Sequence, residues 1–189
     1  DGGSLLLWKS DKLTDMGIRR RILSLPLSGW NTSDLWAPEL QYINNTWYIY
    51  YTVGTANGNW DDQRSGVYEC TTQDPMTGSW VDKGMLYTGD NYYQGIVPTV
   101  SNTHWAIDLT PFELNGQLYC LWSGWANNTP NGNGGHTQNL YIATMSNPWT
   151  ISSSRVLIST PTFAFETLDP FQHINEGPQV LLHNSTIYV

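Results

Sequence analysis

The sequence predicts an all-β protein, and three observations lead to that prediction. Aromatic residues are abundant, with 10 Trp and 11 Tyr among 189 residues, and such side chains are enriched in strands. The 17 Gly and 10 Pro residues stand mostly in clusters that indicate turns between short elements. Strand-like runs also recur in pairs around Asn-centred turns, as in the hairpins of antiparallel sheets.

The hairpin pattern occurs three times along the chain. Each copy has a polar or acidic opening, a Pro, an apolar strand, an Asn-centred turn and an aromatic second strand. The copies are WAPELQYINNTWYIYYT from Trp36, IDLTPFELNGQLYCLWS from Ile107 and NEGPQVLLHNSTIYV from Asn175. Tyr48, Tyr119 and Tyr188 occupy matching places at intervals of 71 and 69 residues. The chain therefore contains an internal repeat of about 70 residues.

A second hairpin completes each repeat. GVYECTTQDPMTGSW from Gly66 matches NLYIATMSNPWTISS from Asn139, and LLLWKSDKLTDMG from Leu5 is similar to both. Four strands per repeat at this period are typical of a β-propeller, whose blades are four-stranded sheets. We predict that residues 1–189 form part of one propeller domain: the outer half of one blade, two whole blades and the inner half of a fourth, about three blades in total. A two-sheet sandwich is the alternative, but the repeat favours the propeller.

Charge and composition exclude several classes of partner. The net charge of −8 argues against binding to nucleic acid or to an anionic membrane surface. No apolar run approaches the roughly 20 residues of a membrane span. Two cysteines are too few for a disulfide framework, so we expect Cys70 and Cys120 to be buried thiols. Four N-glycosylation sequons suit a secreted protein. They begin at Asn31, Asn44, Asn127 and Asn184.

Three carboxylates open the inner strands that the repeat predicts. Glu39, Asp108 and Glu176 follow one another at spacings of 69 and 68 residues. Inner strands line the channel of a propeller, so these side chains are expected to gather at one mouth of the ring. Two carboxylates around a sugar-sized pocket suit glycoside hydrolysis, one protonated as general acid and the other ionised. The alternatives remain open: a structural carboxylate at Glu39, a turn-forming Asp108 and a cap at Glu176.

Aromatic and histidine side chains accompany the acids. Trp36, Trp105 and Trp125 lie near strand openings or exits, where they could offer stacking faces to sugar rings. Aromatic residues at alternate strand positions, such as Trp47, Tyr48 and Tyr50, are predicted to pack in the core instead. The four histidines show no paired metal-ligand spacing. His136, which follows the run NGNGG, could still reach the channel.

Four motifs in order make the chain resemble glycoside hydrolase family 43, in particular its exo-acting α-L-arabinofuranosidases. They are WAPEL, AIDLTPFELNGQLY, LYIATMSNPWT and NEGPQVL. The resemblance implies a five-bladed propeller and an inverting mechanism, with Glu176 as general acid and Asp108 tuning the pKa of that acid and orienting substrate. Glu39, at the pocket border formed by Trp36–Leu40, is expected to be structural. The implied substrate-binding residues are Trp36, Trp105, Ile107, Trp125, His136 and Asn175.

The resemblance also implies what this chain lacks. The general base would be an Asp on a strand upstream of LLLWKSDKLTD, and Asp1, Asp11 and Asp15 are rejected because they fall in the outer half of that blade. The last blade or blades would be missing too, so the chain alone is expected to be inactive. No cofactor is expected to be required, although the complete protein could hold a central Ca²⁺.

The leading hypothesis is a secreted, monomeric, inverting hydrolase that removes arabinofuranosyl residues from arabinan or arabinoxylan. The long rim segment SGWANNTPNGNGGHTQ, from Ser123, favours a closed pocket and hence exo action. An endo-1,5-α-L-arabinanase and a β-xylosidase are the alternatives among enzymes. A carbohydrate-binding propeller without catalysis is an alternative of a different class, and a protein-interaction surface would leave the convergent acids unexplained.

Overall fold

The computed structural model describes residues 3–55, 60–128, 136–184 and 186–189. In these ranges the regular elements are strands, together with short 3₁₀ turns at Trp60–Asp62 and Ala164–Thr167. The all-β prediction is confirmed. The strands are β1 (Ser4–Lys9), β2 (Ile18–Ser24), β3 (Ser33–Ile43), β4 (Thr46–Gly54), β5 (Arg64–Cys70), β6 (Val81–Met85), β7 (Ala106–Leu114), β8 (Gln117–Trp125), β9 (His136–Asn147), β10 (Thr150–Ile151), β11 (Val156–Ser159), β12 (Gln172–Ile174), β13 (Leu181–His183) and β14 (Thr186–Tyr188).

The strands form four sheets that follow one another along the chain. β1 and β2 form a two-stranded sheet, and β3, β4, β5 and β6 form a four-stranded antiparallel sheet in chain order. The third sheet has the order β7, β8, β9 and β10, with β11 antiparallel and β12 parallel to β9. β13 and β14 form the fourth. The sheets lie in the segments that the repeat predicts, whereas their assignment to propeller blades and the five-blade count stay predictions.

Two-residue turns set the hairpin registers. Asn44, Asn45, Asn115, Gly116 and Asn184 all have positive φ, between 48° and 78°. Asn and Gly tolerate this left-handed conformation, which matches the twist of a tight hairpin. Three hairpins are therefore confirmed, and the residues that close them are paired as Ile43 with Thr46, Leu114 with Gln117 and His183 with Thr186.

Aromatic side chains fill the space between the second and third sheets. Tyr50 is fully buried, and its hydroxyl donates a hydrogen bond to the carbonyl of Pro148 at 2.6 Å. Trp122, on β8, belongs to the same core cluster. Cys70 and Cys120 are buried free thiols, as predicted. This core joins the two largest sheets of the described chain and so fixes β3 beside β7.

No helical segment within the described ranges has the length and apolar character that a membrane span needs.

Candidate active site

Three strand openings share one backbone kink. Ala37 has φ 44°, Asp108 has φ 56° and Gly177 has φ 64°, and each lies six residues before the residue that closes its hairpin. The pairing of β3 and of β7 is interrupted by bulges at this point. Bulges bend a strand and re-aim its side chains. An Asp tolerates the left-handed conformation better than most residues because its short polar side chain can hydrogen-bond locally.

The hairpin registers define which side chains are equivalent. Trp36, Ile107 and Glu176 directly precede the kinked residues, and Glu39, Thr110 and Gln179 follow two residues after them. The three acids that the sequence spacing groups together therefore stand at three different levels of the repeat. Glu176 lies before its kink, Asp108 is itself the kinked residue, and Glu39 lies farther along its strand.

The structure brings Asp108 and Glu176 together. The amide of Gly177 donates a hydrogen bond to Asp108 Oδ2 at 3.0 Å, so the peptide that follows Glu176 is anchored to Asp108. Glu176 is exposed as a whole residue, but partial burial of its carboxyl raises its pKa above the ordinary value, and the negative charge of Asp108 raises it further. Burial also raises the pKa of Asp108, which the Gly177 hydrogen bond opposes and the charge of Glu39 reinforces. A carboxyl held protonated beside a second carboxyl can act as a general acid.

Glu39 lies next to this pair, with both carboxylate oxygens engaged by other side chains. Oε1 accepts hydrogen bonds from Thr110 Oγ1 at 2.6 Å and from Gln41 Nε2 at 2.5 Å. Oε2 accepts from Gln179 Nε2 at 2.8 Å. The structure therefore provides Glu39 with partners from β3 itself, from β7 and from the segment that leads into β13.

Stacked rings around Ile107, the residue that precedes Asp108, form an aromatic wall. Trp105 and Trp125 are parallel, with ring centroids 4.5 Å apart, and His136 stacks on Trp125 at 3.3 Å. Trp105 and Trp125 are 3% and 5% exposed, so their ring faces are covered by one another and by His136. His136 is half-buried, and burial lowers its pKa while the nearby Asp61 opposes that change.

Trp36 extends this wall toward solvent. It packs against the cluster of Trp105, Ile107 and Trp125, in which Ile107 is buried. Its ring and that of Trp60 are nearly perpendicular, at 78°, with centroids 5.8 Å apart. The carbonyl of Trp60 in turn accepts a hydrogen bond from Trp105 Nε1 at 2.7 Å. The partly exposed Trp36 and the exposed Trp60 are the rings of this cluster that can meet a ligand.

Asn175 is held from four sides. Its backbone N–H donates to the backbone carbonyl of Gln138 at 3.0 Å, and its backbone carbonyl accepts from Ser123 Oγ at 2.8 Å. With the side-chain amide oriented so that both ends are satisfied, Nδ2 donates to Glu166 Oε1 at 2.8 Å and Oδ1 accepts from Ser159 Oγ at 3.0 Å. The residue that precedes Glu176 is thus fixed to β8, to β9 and to the 3₁₀ turn at 164–167.

An open cavity of about 800 Å³ adjoins Glu176 and Asn175. Gln179 and Phe165 contribute to its lining, and its size is sufficient for sugar rings. Residues 129–135, which make up much of the predicted rim segment, lie outside the described ranges. Their predicted closure of the pocket therefore stays a prediction.

Sequence reasoning missed Trp60, Thr110 and Gln179. Trp60 lies in a 3₁₀ turn outside the repeat, and its contact with Trp36 depends on how that turn packs. Thr110 and Gln179 could have been found from the hairpin turns, because both stand four residues before a closing residue, as Glu39 does.

The rejected candidates for a general base lie away from these residues in the chain. Asp11 and Asp15 fall in the connection between β1 and β2, where Asp15 Oδ1 accepts a hydrogen bond from the amide of Gly17. Asp1 lies outside the described residues. The assignment of the base to a segment outside this chain stays a prediction.

The described ranges contain no group of three or more His, Cys, Asp or Glu residues that could hold a metal ion. The carboxylate of Glu39, beside the kinked residues, is not free to bind a cation either, because both its oxygens accept hydrogen bonds from Thr110 and Gln179. The central Ca²⁺ that the resemblance implies is therefore not assigned to residues of this chain.

Comparison with known proteins decides the family. The sequence profile of Glycosyl hydrolases family 43 matches residues 3–189. The chain belongs to glycosyl hydrolase family 43. The resemblance inferred from the four motifs is thereby confirmed.

Two curated family-43 relatives are arabinofuranosidases. The "Extracellular exo-alpha-(1->5)-L-arabinofuranosidase" of Streptomyces avermitilis is 34% identical over 162 residues, which are 86% of this chain and 30% of that protein. The "Alpha-L-arabinofuranosidase 43" of Humicola insolens is 35% identical over 161 residues, 85% of this chain and 29% of that protein. The chain thus spans about three tenths of the length of these relatives.

A solved structure shares the fold. The α-L-arabinofuranosidase from Lactobacillus brevis superimposes with a TM-score of 0.75 at 29% identity, covering 95% of this chain and 52% of that one. The four successive sheets therefore have the same arrangement as in that enzyme. This chain corresponds to about half the length of that solved structure.

Proposed function

We propose that the protein carrying this chain is a secreted glycoside hydrolase that removes α-L-arabinofuranosyl residues from arabinan or arabinose-containing hemicellulose with inversion. The observation that supports it most directly is the hydrogen bond of Gly177 to Asp108, which places Glu176 and Asp108 side by side with raised pKa values. The named activities of the family-43 relatives support the arabinofuranosyl substrate, and the extracellular name of one supports secretion.

Glu176 is the general acid in this proposal. Its raised pKa favours the protonated form, and that proton passes to the glycosidic oxygen as the bond to the anomeric carbon breaks. In its ionised form, Asp108 favours the protonated form of Glu176 by charge repulsion. The general base, a carboxylate outside this chain, activates water on the opposite face of the sugar. Inverting enzymes keep the acid and base carboxyls about 6.5–9.5 Å apart.

The aromatic wall receives the sugar. Contact surface is supplied by the exposed Trp60 and the partly exposed Trp36 and His136. The buried Trp105, Trp125 and Ile107 support them from behind. Apolar ring faces pack against the apolar face of a sugar, and polar neighbours fix its orientation. Asn175 contributes by holding the backbone at Glu176, because its amide is already engaged with Glu166 and Ser159.

Replacing Glu176 with Gln in the full-length enzyme tests the acid. General acid catalysis typically contributes about 10²- to 10⁴-fold, so we expect a loss of that order in kcat on linear 1,5-arabinan. On a 2,4-dinitrophenyl α-L-arabinofuranoside, whose leaving group needs no proton, the loss should be far smaller. Glu113→Gln, on the exposed carboxylate of β7, is the matched control. Equal losses on both substrates would remove Glu176 from the role of acid.

Product analysis with the wild-type enzyme separates the alternatives. Arabinose as the first product of arabinan, released as the β-anomer in NMR spectra, is the expected result for inverting exo action. Early oligosaccharides would instead indicate an endo-arabinanase, and preferred release of xylose from aryl xylosides would indicate a β-xylosidase. Binding of arabinan without any product would indicate a carbohydrate-binding protein.

A further inference from the structure

We propose that Glu39 is a positioning residue: its carboxylate ties three equivalent strand positions together and so sets the place of Glu176 relative to Asp108. This inference rests on the proposed function, since it assigns the role of Glu39 in that chemistry. It goes beyond a general structural role because it names the two contacts, through Thr110 and Gln179, that transmit the effect.

The repeat places the three residues at one level of the site. Glu39, Thr110 and Gln179 each lie four residues before the closing residue of their hairpins. The Glu39 carboxylate receives the Thr110 hydroxyl at 2.6 Å on Oε1 and the Gln179 amide at 2.8 Å on Oε2. One side chain therefore bridges the openings of three inner segments that are far apart in sequence.

Both contacts lie close to the candidate catalytic pair. Thr110 follows Asp108 by two residues on β7, and Gln179 follows Glu176 by three. The amide of Gly177 meets Asp108 Oδ2 two residues before each of these anchor points. Three hydrogen bonds thus connect the three segments to one another: Asp108 with Gly177, Glu39 with Thr110, and Glu39 with Gln179. Each segment is thereby fixed against the other two.

A carboxylate is the side chain that this position needs. An ionised carboxylate accepts several hydrogen bonds and donates none, and hydrogen bonds to a charged acceptor are stronger than neutral ones. A Gln at position 39 keeps the volume but presents one acceptor oxygen and one NH₂ group. It can then accept from the Thr110 side or from the Gln179 side, and its own amide nitrogen faces the other donor.

Leaving-group dependence distinguishes positioning from general support of the fold. If Glu39 acts through Glu176, its loss harms proton donation and therefore harms substrates with poor leaving groups. A change that only loosens the fold lowers the rate on all substrates alike. Displacements of about 1 Å can cost roughly 10²-fold in rate, so the effect is measurable.

The test compares Glu39→Gln, Gln179→Ala and Thr110→Val in the full-length enzyme, with Thr110→Ser and Glu113→Gln as conservative and matched controls. We expect Glu39→Gln and Gln179→Ala to lower kcat on 1,5-arabinan by about 10- to 100-fold and to change kcat on the 2,4-dinitrophenyl arabinofuranoside less than about threefold. Thr110→Ser keeps the hydroxyl and should retain most of the activity that Thr110→Val loses.

The outcomes separate this inference from the proposed function. Glu176→Gln, measured in parallel, decides the general acid by itself. If Glu176→Gln is selective for the poor leaving group while Glu39→Gln and Gln179→Ala lower both rates equally or leave both unchanged, the positioning role is wrong and the proposed function stands. Gln179 is exposed, so its replacement keeps the test available should Glu39→Gln fail to fold.

Discussion

The amide of Gly177 donates a hydrogen bond to Asp108 Oδ2 at 3.0 Å across 69 residues of sequence. The bond joins the kinked residue of one hairpin to the kinked residue of the next. It also couples the two candidate catalytic carboxyls, since a movement of Asp108 pulls on the peptide that bears Glu176. Their protonation is coupled as well, because the negative charge of Asp108 contributes to the raised pKa of Glu176.

Asp108→Asn should shift the pH profile of the enzyme to the acid side. The change removes a negative charge that raises the pKa of Glu176, so Glu176 loses its proton at a lower pH. Asn tolerates the left-handed conformation at this position and can still accept the Gly177 hydrogen bond. The basic limb of kcat/KM, measured on an unactivated arabinooligosaccharide, should therefore move to lower pH. A basic limb at the wild-type position would contradict the electrostatic coupling.

Glu176→Gln should stabilise the folded enzyme near neutral pH. Because the folded-state pKa of Glu176 is raised, the unfolded chain gives up this proton first as pH rises from about 4. The stability that protonated Glu176 contributes is thus complete below the unfolded pKa and is lost as pH passes through the folded one. Gln cannot ionise and avoids that loss. Thermal unfolding should show a higher Tm for the variant at pH 7 and little difference below pH 4.

A variant of Glu113 tests whether that result is specific. Glu113 is an exposed carboxylate on β7, so Glu113→Gln removes the same charge without touching the site. If both variants raise Tm equally, the gain comes from the lower net negative charge of the protein and not from the environment of Glu176.

The hairpins could be predicted from the sequence because their turns carry residues suited to positive φ, such as Asn44 and Asn115. The equivalence of side chains within them could not be predicted from acid spacing. Glu39 and Asp108 are 69 residues apart, whereas their hairpins are offset by 71, so Glu39 lies two residues deeper than its apparent counterpart. The contact of Trp60 with Trp36 depends on tertiary packing of a turn and left no pattern in the sequence.

The sequons should differ in their use when the protein is secreted by a host that N-glycosylates. Asn31 is 6% exposed and its Nδ2 donates to Asp82 Oδ2 at 3.3 Å, so a glycan there is incompatible with the folded structure. Asn44 is exposed in a hairpin turn. Mass spectrometry of the secreted enzyme should find glycan on Asn44 and none on Asn31. Thr46→Ala removes the Asn44 sequon and serves as the control, and a glycan on Asn31 of folded enzyme would contradict the prediction.

Arg155→Met should destabilise the fold behind the aromatic wall. The side chain of Arg155 is 2% exposed and donates to the carbonyls of Trp125 and Ala126, each at 2.7 Å, and to Asp90 at 2.6 Å. Without the Arg155 guanidinium, the two carbonyls lose their hydrogen-bond donor and Asp90 loses its ion pair. We expect these losses to lower the free energy of unfolding by about 2–4 kcal/mol. Asp90 is half-exposed and can regain water, so this cost is smaller than that of breaking a fully buried pair. Urea unfolding of the full-length enzyme measures the change, with exposed Arg19→Met as the matched variant. A loss no larger than that of Arg19→Met would mean that Arg155 does not hold the end of β8 that presents Trp125.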